Sequence, residues 1–487
     1  MKIDLTLEPE RRGRAIRRAR ERGIVIPTFA QMKNPALIPA GVKEKLAEIA
    51  LWDVHPANLF RITWHNQALE HGGGFGDVNA LELPATLTGV PARIIALVGK
   101  WFPTGAHKVG AAFGCLAPHL VTGQFDPTTQ KAVWPSTGNF CRGGAYDSAL
   151  LACQSIAILP EGMSQERFNW LAQIAGEVIK TPGSESNVKE IFDKCWELRN
   201  SGQDLMIFNQ FEAFGNYLWH YEVTGHAMQA VLERLLGPHD EYRGVVSATG
   251  SAGTIASGDY LKQLFPASKI VASEALQCPT LLENGFGAHR IEGIGDKHVP
   301  WVHNVKNTDL VAAIDDRAVV SVARLFNEPA GRAHLASLGV GESLLANLDL
   351  LGFSGISNVL SAIKFAKYYE MDNRDVILTV LTDSMELYRS RLEELHQEAG
   401  AYTEHHAAAD CARWLHGQAT DNLLELTYSD RRRIHNLKYY TWVEQQGKTY
   451  DEIQAQWYAR DYWHEVQSQA AEIDALIEEF NQQTGLL

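Results

Sequence analysis

The sequence predicts an α/β protein, in which a mostly parallel β-sheet carries helices on both faces. Two observations support this prediction. Short segments rich in β-branched residues, bounded by glycine, proline or polar residues, indicate buried strands. Longer segments with a helical pattern lie between them, and this alternation runs from about residue 81 to residue 385. Because parallel strands are joined by crossover helices, such alternation is typical of a parallel sheet.

The predicted strands share a high content of valine, isoleucine and alanine. In chain order they are residues 92–99, 155–159, 244–249, 269–275 and 376–381. The segments between them are longer and more polar, which predicts helices at 163–176, 187–200, 216–236, 254–264 and 355–370. No internal repeat is visible, so we expect one continuous α/β region.

Both ends of the chain lack the strand pattern, and we expect helical extensions there. Residues 1–80 form the first extension; the arginine-rich stretch 11–22 is interpreted as a solvated helix face, because acidic residues lie beside it. Residues 386–487 form the second extension, which is rich in glutamate, glutamine, arginine and aromatic residues. Its aromatic content suggests that it covers a dimer interface or a functional site.

Composition excludes several classes of protein. The 487 residues carry a formal net charge of −14, which argues against binding duplex nucleic acid. No apolar run reaches the roughly 18–20 residues of a membrane span, and no signal peptide opens the chain. The six cysteines include no CxxC pair, so we expect reduced thiols in the cytoplasm. A cytoplasmic enzyme with a small-molecule substrate, and without nucleic-acid or membrane partners, is the expectation.

Four glycine-rich polar segments lie at predicted strand–helix junctions, where α/β sheets bind ligands. They are residues 103–114, 135–145, 247–262 and 352–358. The first segment places Lys108 at the opening of a helix. In the third, the small residues from Gly250 to Gly253 precede Thr254, so that backbone amides and a helix N-terminus suit an anion. Each segment is a weak signal alone.

Together, the order of these segments resembles the tryptophan-synthase-β superfamily of pyridoxal-phosphate enzymes (fold type II), most closely the cysteine synthases and cystathionine β-synthases. PTGAHK at 103–108 resembles the lysine motif, STGN at 136–139 the substrate-carboxylate loop, and TGSAGT at 249–254 the phosphate loop. Further matches are 159–183, NQF at 209–211, HRIEGIG at 289–295 and GFSG at 352–355. The resemblance covers about residues 84–385.

The resemblance implies a fold of two mostly parallel open sheets, a homodimer, and pyridoxal 5'-phosphate as cofactor. The catalytic core is expected at 81–385, with a smaller subdomain at about 110–210. Lys108 is implied as the Schiff-base lysine and as the base for the substrate Cα proton. The other implied cofactor-binding residues are Asn139, Gly250, Ser251, Ala252, Gly253, Thr254 and Ser354. The implied substrate-binding residues are Ser136, Thr137, Gly138, Phe140 and Gln210, and no metal is expected.

The implied reaction is β-replacement on a serine-derived L-amino acid through an aminoacrylate, as in cysteine synthases. Ser354, opposite the pyridine nitrogen, leaves that nitrogen neutral and favours loss of a β-substituent. The alternative is a β-elimination lyase, dehydratase or ammonia-lyase of the same fold. The chain departs from cysteine synthases at Phe140 and Cys141, where they have a small residue and glycine. His107, just before the lysine, resembles the lysine motif of tryptophan synthase. Ser136, however, stands where the substrate loop of that enzyme has an acidic residue, which argues against indole as the nucleophile.

Two interpretations from other classes remain open at this point. A non-catalytic binding module would keep the fold without turnover, and the intact lysine and glycine loop count against it. A metal-dependent enzyme would use His405, His406, Cys411 and His416. Their helical offsets place only some of them on one face, so exposed helical histidines are the preferred interpretation.

Overall fold

The computed structural model describes residues 2–68 and 73–486. Its strands are β1 (Ala80–Leu83), β2 (Arg93–Val98), β3 (Lys131–Pro135), β4 (Gln154–Pro160), β5 (Glu177–Thr181), β6 (Leu205–Ile207), β7 (Glu241–Ala248), β8 (Lys269–Ala275), β9 (Leu310–Ile314), β10 (Asp375–Leu381) and β11 (Leu423–Glu425). All five strands predicted from the sequence are confirmed, within a few residues at each end.

The helices of the first half are α1 (Pro9–Arg22), α2 (Phe29–Lys33), α3 (Ala40–Leu46), α4 (Ala85–Thr88), α5 (Lys108–Thr122), α6 (Asn139–Leu150), α7 (Gln165–Ile174), α8 (Val188–Arg199), α9 (Phe214–Trp219) and α10 (Gly225–Leu235). Those of the second half are α11 (Ala256–Leu264), α12 (Thr280–Glu283), α13 (Asp316–Asn327), α14 (Pro329–Ser337), α15 (Glu342–Ala346), α16 (Phe353–Tyr368), α17 (Arg389–Ala399), α18 (Glu404–Asp410), α19 (Tyr428–Lys438), α20 (Tyr450–Tyr458), α21 (Tyr462–Gln467) and α22 (Gln469–Thr484). None of the helices in the described part of the chain has both the length and the apolar character needed to span a bilayer.

The strands form two sheets, as expected. The larger has seven strands in the order β1-β2-β10-β7-β8-β9-β11, and the smaller has four in the order β5-β4-β3-β6. All pairs are parallel except the two edge pairs of the larger sheet, β1 with β2 and β11 with β9. Neighbouring residues of β2 enter different hydrophobic clusters, Ile94 on one face and Ile95 on the other. Helices therefore cover both faces, which confirms the predicted class.

The extension at 386–487 is not wholly helical, contrary to the expectation. β11 (Leu423–Glu425) pairs antiparallel with β9 and covers that edge of the larger sheet. Three residues are too few to give a periodic signal, and the pairing satisfies an edge that would otherwise be open.

The arginine side chains of helix α1 are not all exposed to solvent, which corrects the sequence interpretation. Arg12 is buried, and its Nε donates to the carbonyl oxygen of Val121, 2.8 Å away at the end of α5. Arg20 donates to the carbonyl oxygens of Gln483 and Thr484 at the end of α22. The last carbonyls of a helix lack partners within the helix, so these guanidinium groups tie α1 to two helix C-termini.

The C-terminal segment packs into the main hydrophobic core. Ile473, Ile477 and Phe480 of α22 are fully buried in it. Trp442 is also buried, and its indole N–H donates to the carbonyl oxygen of Val299 at 2.8 Å. Much of the aromatic content of this extension therefore serves intramolecular packing.

Candidate active site

Two adjoining cavities lie at the carboxyl ends of the parallel strands. One is lined by the loops that follow β3, β5 and β6 of the smaller sheet, and the other by the loops that follow β7 and β10 of the larger sheet. Both cavities include Lys108, Gly250, Ser251, Gly293 and Thr382 in their walls. Ligand sites in α/β folds occur at this edge of a sheet. The structure thus brings together the predicted lysine, the loop at 136–139 (the hydroxyl loop) and the loop at 249–254 (the glycine loop).

Lys108 is the first residue of α5 and faces both cavities. Its Nζ donates to Gln210 Oε1 and to Ser251 Oγ, each 3.2 Å away. Desolvation by the surrounding protein lowers the pKa of Lys108 to about 8, although the nearby carboxyl groups of Asp296, Glu185 and Asp383 oppose this shift. A lowered pKa raises the neutral fraction of an amine, as the predicted nucleophile and base requires, and that role of Lys108 stays a prediction.

The glycine loop between β7 and α11 forms the wall of the second cavity, which includes Gly250, Ser251, Ala252 and Thr254. A Cβ on Gly250 would lie 2.7 Å from a backbone carbonyl oxygen, and a Cβ on Gly253 would overlap a buried amide side chain. Only residues without side chains fit at these two positions. A concave loop of small residues ahead of a helix fits the phosphate of pyridoxal phosphate.

The hydroxyl loop after β3 contacts the lysine through a glutamine. Ser136 Oγ accepts hydrogen bonds from the backbone N–H of Gly138 at 3.1 Å and from Gln210 Nε2 at 3.2 Å. Thr137 Oγ1 donates to Glu185. Phe140 is buried in the same wall, with its ring edge-on to that of Trp134. Ser136, Thr137, Phe140 and Gln210 therefore all line the cavity that contains Lys108, while Gly138 makes room for a neighbouring guanidinium group. Their role in substrate binding stays a prediction.

Asn139 is the first residue of α6 and lies in the first cavity's wall. Its Nδ2 donates to Asp383 Oδ2 at 2.5 Å, and its Oδ1 is buried with no hydrogen-bond partner among the described residues. One amide hydrogen is thus engaged by Asp383. The role of Asn139 toward a cofactor ring remains a prediction.

Ser354 does not line either cavity, although the sequence placed it at the pyridine nitrogen. It lies in the first turn of α16, behind Gly293; a Cβ on that glycine would be 3.7 Å from Ser354 Oγ. Asn358, one turn further along α16, lines the second cavity. Its Nδ2 donates to the carbonyl oxygen of Val380 at 2.9 Å, and its Oδ1 is a buried acceptor without a partner in the described structure. Asn358 is therefore an additional candidate that the motif search missed.

Four charged residues of the site were also missed by sequence reasoning: Arg167, Glu185, Asp296 and Asp383. Arg167 is 1% exposed and donates to Glu292 and to the Tyr388 hydroxyl. That hydroxyl donates in turn to Asp383 Oδ2 at 2.6 Å. Glu185 follows β5 and Asp383 follows β10, so their position after strand ends was the signal that could have identified them.

His107 and Cys141 are both fully buried, and their surroundings favour a structural role. Burial and the charge of Lys108 lower the pKa of His107 to about 3, so its ring is neutral; its Nε2 lies 3.2 Å from Thr382 Oγ1. Burial raises the pKa of Cys141 to about 12, and its thiol donates to the carbonyl oxygen of Gly138 at 2.9 Å. Neither is suited to act as a charged catalyst near neutral pH.

The histidines at 405–416, which the sequence left open as an alternative metal site, do not form a ligand set. His416 Nε2 lies 3.0 Å from the carbonyl oxygen of Leu87, and His406 caps α18. Within residues 2–68 and 73–486, no three side chains of histidine, cysteine, aspartate or glutamate are arranged to hold a metal ion.

Solved structures show the same fold. A hydrogen sulfide-producing enzyme from Fusobacterium nucleatum superposes with a TM-score of 0.57 at 24% identity, covering 71% of this chain and 96% of that chain. An O-acetylserine dependent cystathionine beta-synthase from Helicobacter pylori gives a TM-score of 0.54 at 23% identity, covering 65% and 95%. At these identities the likeness establishes the fold.

Curated sequences and a family model show a likeness in sequence as well. Cystathionine beta-synthase of Saccharomyces cerevisiae is 26% identical over 319 residues, which are 64% of this chain and 59% of the yeast protein. Cysteine synthase B of Campylobacter jejuni is 28% identical over 289 residues, which are 59% of this chain and 87% of that enzyme. Residues 100–343 match the model described as pyridoxal-phosphate dependent enzyme. This chain therefore belongs to the family of pyridoxal-phosphate dependent enzymes.

Proposed function

We propose that this protein catalyses β-replacement on a serine-derived L-amino acid, with pyridoxal 5'-phosphate bound at Lys108. The observation that carries the proposal is the placement of Lys108 between a hydroxyl loop and a glycine loop. Gln210 joins the lysine to Ser136 of the first loop, and Ser251 joins it to the second. The names of the relatives, cysteine synthases and a cystathionine beta-synthase, support the same reaction class.

The residues of this chain have distinct tasks in that reaction. With a pKa of about 8, about a tenth of the Lys108 amine is neutral at pH 7, whereas almost none would be at the ordinary value of 10.5. Its Nζ accepts the proton from the substrate Cα. Ser136 and Gln210 hold the substrate carboxylate, and buried Phe140 and Phe211 restrict water in the cavity. The bound cofactor supplies the electron sink that makes this proton acidic.

Product analysis tests the proposal. The holoenzyme is incubated with O-acetyl-L-serine, with and without sulfide, and cysteine, pyruvate and ammonia are quantified by mass spectrometry. We expect cysteine to be the main product when sulfide is present, and Lys108→Ala to abolish it. Pyruvate formation at the same rate with and without sulfide would instead assign the alternative, a β-elimination lyase. Absence of both products from any β-substituted serine would refute the proposal.

We further propose a catalytic core at 81–385, with a smaller subdomain at about 110–210, and a C-terminal segment that helps to close the active site. At the start of that segment, Ser390 contacts Glu166 of α7 through its backbone N–H and its hydroxyl. Arg391 Nε donates to Glu292 Oε1 at 2.5 Å, next to the buried Arg167. The double substitution of Ser390 and Arg391 by alanine tests the role without removing the core helices, and unchanged kinetics in the folded variant would refute it.

A cytoplasmic homodimer is also part of the proposal. Tyr428, Tyr440 and Tyr458 of the C-terminal segment are each 64% exposed, and exposed aromatic residues are common at protein interfaces. The six cysteines are all free thiols, as in a reducing compartment. Sedimentation equilibrium should give twice the chain mass of 54.0 kDa, and a monomer would contradict the dimer. Fractionation of the source cells tests the location. Recovery of the protein outside the soluble cytoplasmic fraction would contradict it.

A further inference from the structure

A hydrogen-bond network behind the first cavity holds the amide of Asn139. Asn139 Nδ2 donates to Asp383 Oδ2 at 2.5 Å, and the hydroxyl of Tyr388 donates to the same oxygen at 2.6 Å. The Tyr388 hydroxyl in turn accepts a hydrogen bond from Arg167 Nη2 at 2.9 Å. Asn139 lies in the cavity wall together with Lys108, whereas Asp383 and Tyr388 line neither cavity. Asp383 therefore reaches the cavity through Asn139.

The carboxyl group of Asp383 is fixed from two sides. The residue is 1% exposed, and its Oδ2 accepts both hydrogen bonds. Its Oδ1 lies against Gly352, where a Cβ would overlap that oxygen. Burial raises the pKa of Asp383, but Oδ2 already accepts two hydrogen bonds, so a proton on this group would sit on Oδ1. Oδ2 is therefore an acceptor toward Asn139 in either protonation state.

This acceptor decides which way the Asn139 amide points. The carbonyl and amino ends of an amide have nearly the same shape, so their hydrogen-bond partners determine the orientation. Asp383 holds the amino end, because the carbonyl end would place two acceptors against each other. The contact uses one of the two amide hydrogens, and Asn139 Oδ1 is buried without a partner among the described residues. The second amide hydrogen therefore remains for a ligand in the cavity.

We propose that Asp383 is a positioning residue, which orients the amide of Asn139 so that its second N–H donates to the ring oxygen of pyridoxal phosphate. The inference deepens the proposed function, because it rests on the cofactor being bound at Lys108. The ring oxygen is an acceptor, so only the amino end of the amide matches it. Without Asp383 the amide is free to take either orientation, and the flipped one loses this hydrogen bond.

A double-mutant cycle on cofactor binding tests the proposal. Asn139→Ala, Asp383→Leu and the double variant are titrated as full chains with pyridoxal phosphate, and the dissociation constant is taken from the visible band. We expect each single variant to raise this constant about tenfold, as loss of one hydrogen bond does, and the double variant to raise it about tenfold as well. An unchanged constant for Asp383→Leu, or a rise of about a hundredfold in the double variant, would overturn the proposal.

The chain offers a matched control outside the site. Buried Asp259 also accepts, on one oxygen, hydrogen bonds from the Tyr217 hydroxyl at 2.7 Å and from Asn304 Nδ2 at 3.0 Å, and it lines neither cavity. Asp259→Leu removes the same kinds of contact and should leave the dissociation constant within about twofold. The wavelength of the visible band is a second readout, which Asn139→Ala and Asp383→Leu should shift alike. Equal weakening by Asp259→Leu and Asp383→Leu would show a merely structural effect and overturn the proposal.

A milder pair of variants decides the question if Asp383→Leu does not fold, as judged by urea unfolding. Tyr388→Phe removes one of the two hydrogen bonds that Asp383 Oδ2 accepts, and Tyr217→Phe removes the equivalent one in the control network. We expect Tyr388→Phe to weaken cofactor binding about threefold when Asn139 is present and to have no effect in the Asn139→Ala background. Tyr217→Phe should have no effect in either. Equal effects of Tyr388→Phe in both backgrounds would refute the positioning role.

Product analysis separates this inference from the proposed function. If cysteine forms from O-acetyl-L-serine and sulfide but the two substitutions act additively on cofactor binding, the positioning role is refuted and β-replacement stands. If the wild type binds pyridoxal phosphate and forms no cysteine, β-replacement fails, while coupling between Asn139 and Asp383 in the cycle still supports the positioning role. If the wild type binds no pyridoxal phosphate, both proposals fail.

Discussion

Replacement of Lys108 by methionine should stabilise the cofactor-free protein, because this lysine is held in an environment that opposes its charge. A fall in pKa from 10.5 to about 8 corresponds to about 3 kcal/mol of unfavourable interaction in the folded state. Lys108 also donates hydrogen bonds to Gln210 and Ser251, which methionine cannot make. The net gain in the free energy of unfolding should therefore be smaller, about 1–3 kcal/mol at pH 7. Functional residues commonly lower stability in this way.

The gain should depend on pH, and its sign follows from the two pKa values. Below pH 8 the lysine is charged in both states, so the full penalty is present. Between about pH 8 and 10.5 the unfolded chain binds more protons than the folded protein, and the stability of the wild type rises with pH. The advantage of Lys108→Met should therefore shrink over this interval.

Urea unfolding of the cofactor-free proteins at pH 7 and pH 10 measures this effect. We expect the difference in midpoint between Lys108→Met and the wild type to be large at pH 7 and small at pH 10. Lys189→Met, which removes a largely exposed lysine, is the control and should show no such convergence. A Lys108→Met protein that is less stable than the wild type at pH 7, or a difference that does not change with pH, would refute the reasoning.

Three further predictions follow from individual contacts. Gly253→Ala should weaken cofactor binding at least about tenfold in a spectroscopic titration, because the methyl group would overlap a buried amide, whereas Gly41→Ala has open space and should bind normally. Glu292→Gln should lower the free energy of unfolding by about 3 kcal/mol, since it leaves two guanidinium groups without their carboxylate; Glu398→Gln should leave the urea midpoint unchanged. Cys141 should stay unlabelled by iodoacetamide at pH 8 in the folded protein, and rapid modification detected by mass spectrometry would contradict its burial and raised pKa.

The fold was predictable where burial of a segment produces a recognisable pattern of apolar residues. The segments 269–275 and 376–381 are continuous apolar runs because both faces of their strands are covered, and they appear as strands β8 and β10. β6 and β11 have three residues each, and their side chains are partly exposed. Such short strands give no periodic pattern of apolar residues in the sequence. The position of α1 against two helix ends depends on tertiary contacts of Arg12 and Arg20, which composition alone does not encode.

The site was predictable where a backbone conformation demands a residue type. The glycine loop and the lysine at a helix start occur as contiguous motifs, and the structure brings them together with Gln210. Glu185 and Asp296 come from separate segments, and nothing in either segment shows that their carboxyl groups share a cavity. Ser354 and Asn358 are one turn apart on α16, so a motif identifies the helix but not which turn reaches the cavity.

The visible absorption spectrum of the purified protein tests the central claim most directly. The account predicts a visible cofactor band that changes on addition of O-acetyl-L-serine and returns when sulfide is added, as cysteine forms. Lys108→Ala should lack both the change and the product. A protein that shows no visible band even after incubation with pyridoxal phosphate, or a band indifferent to every β-substituted serine, would contradict the account.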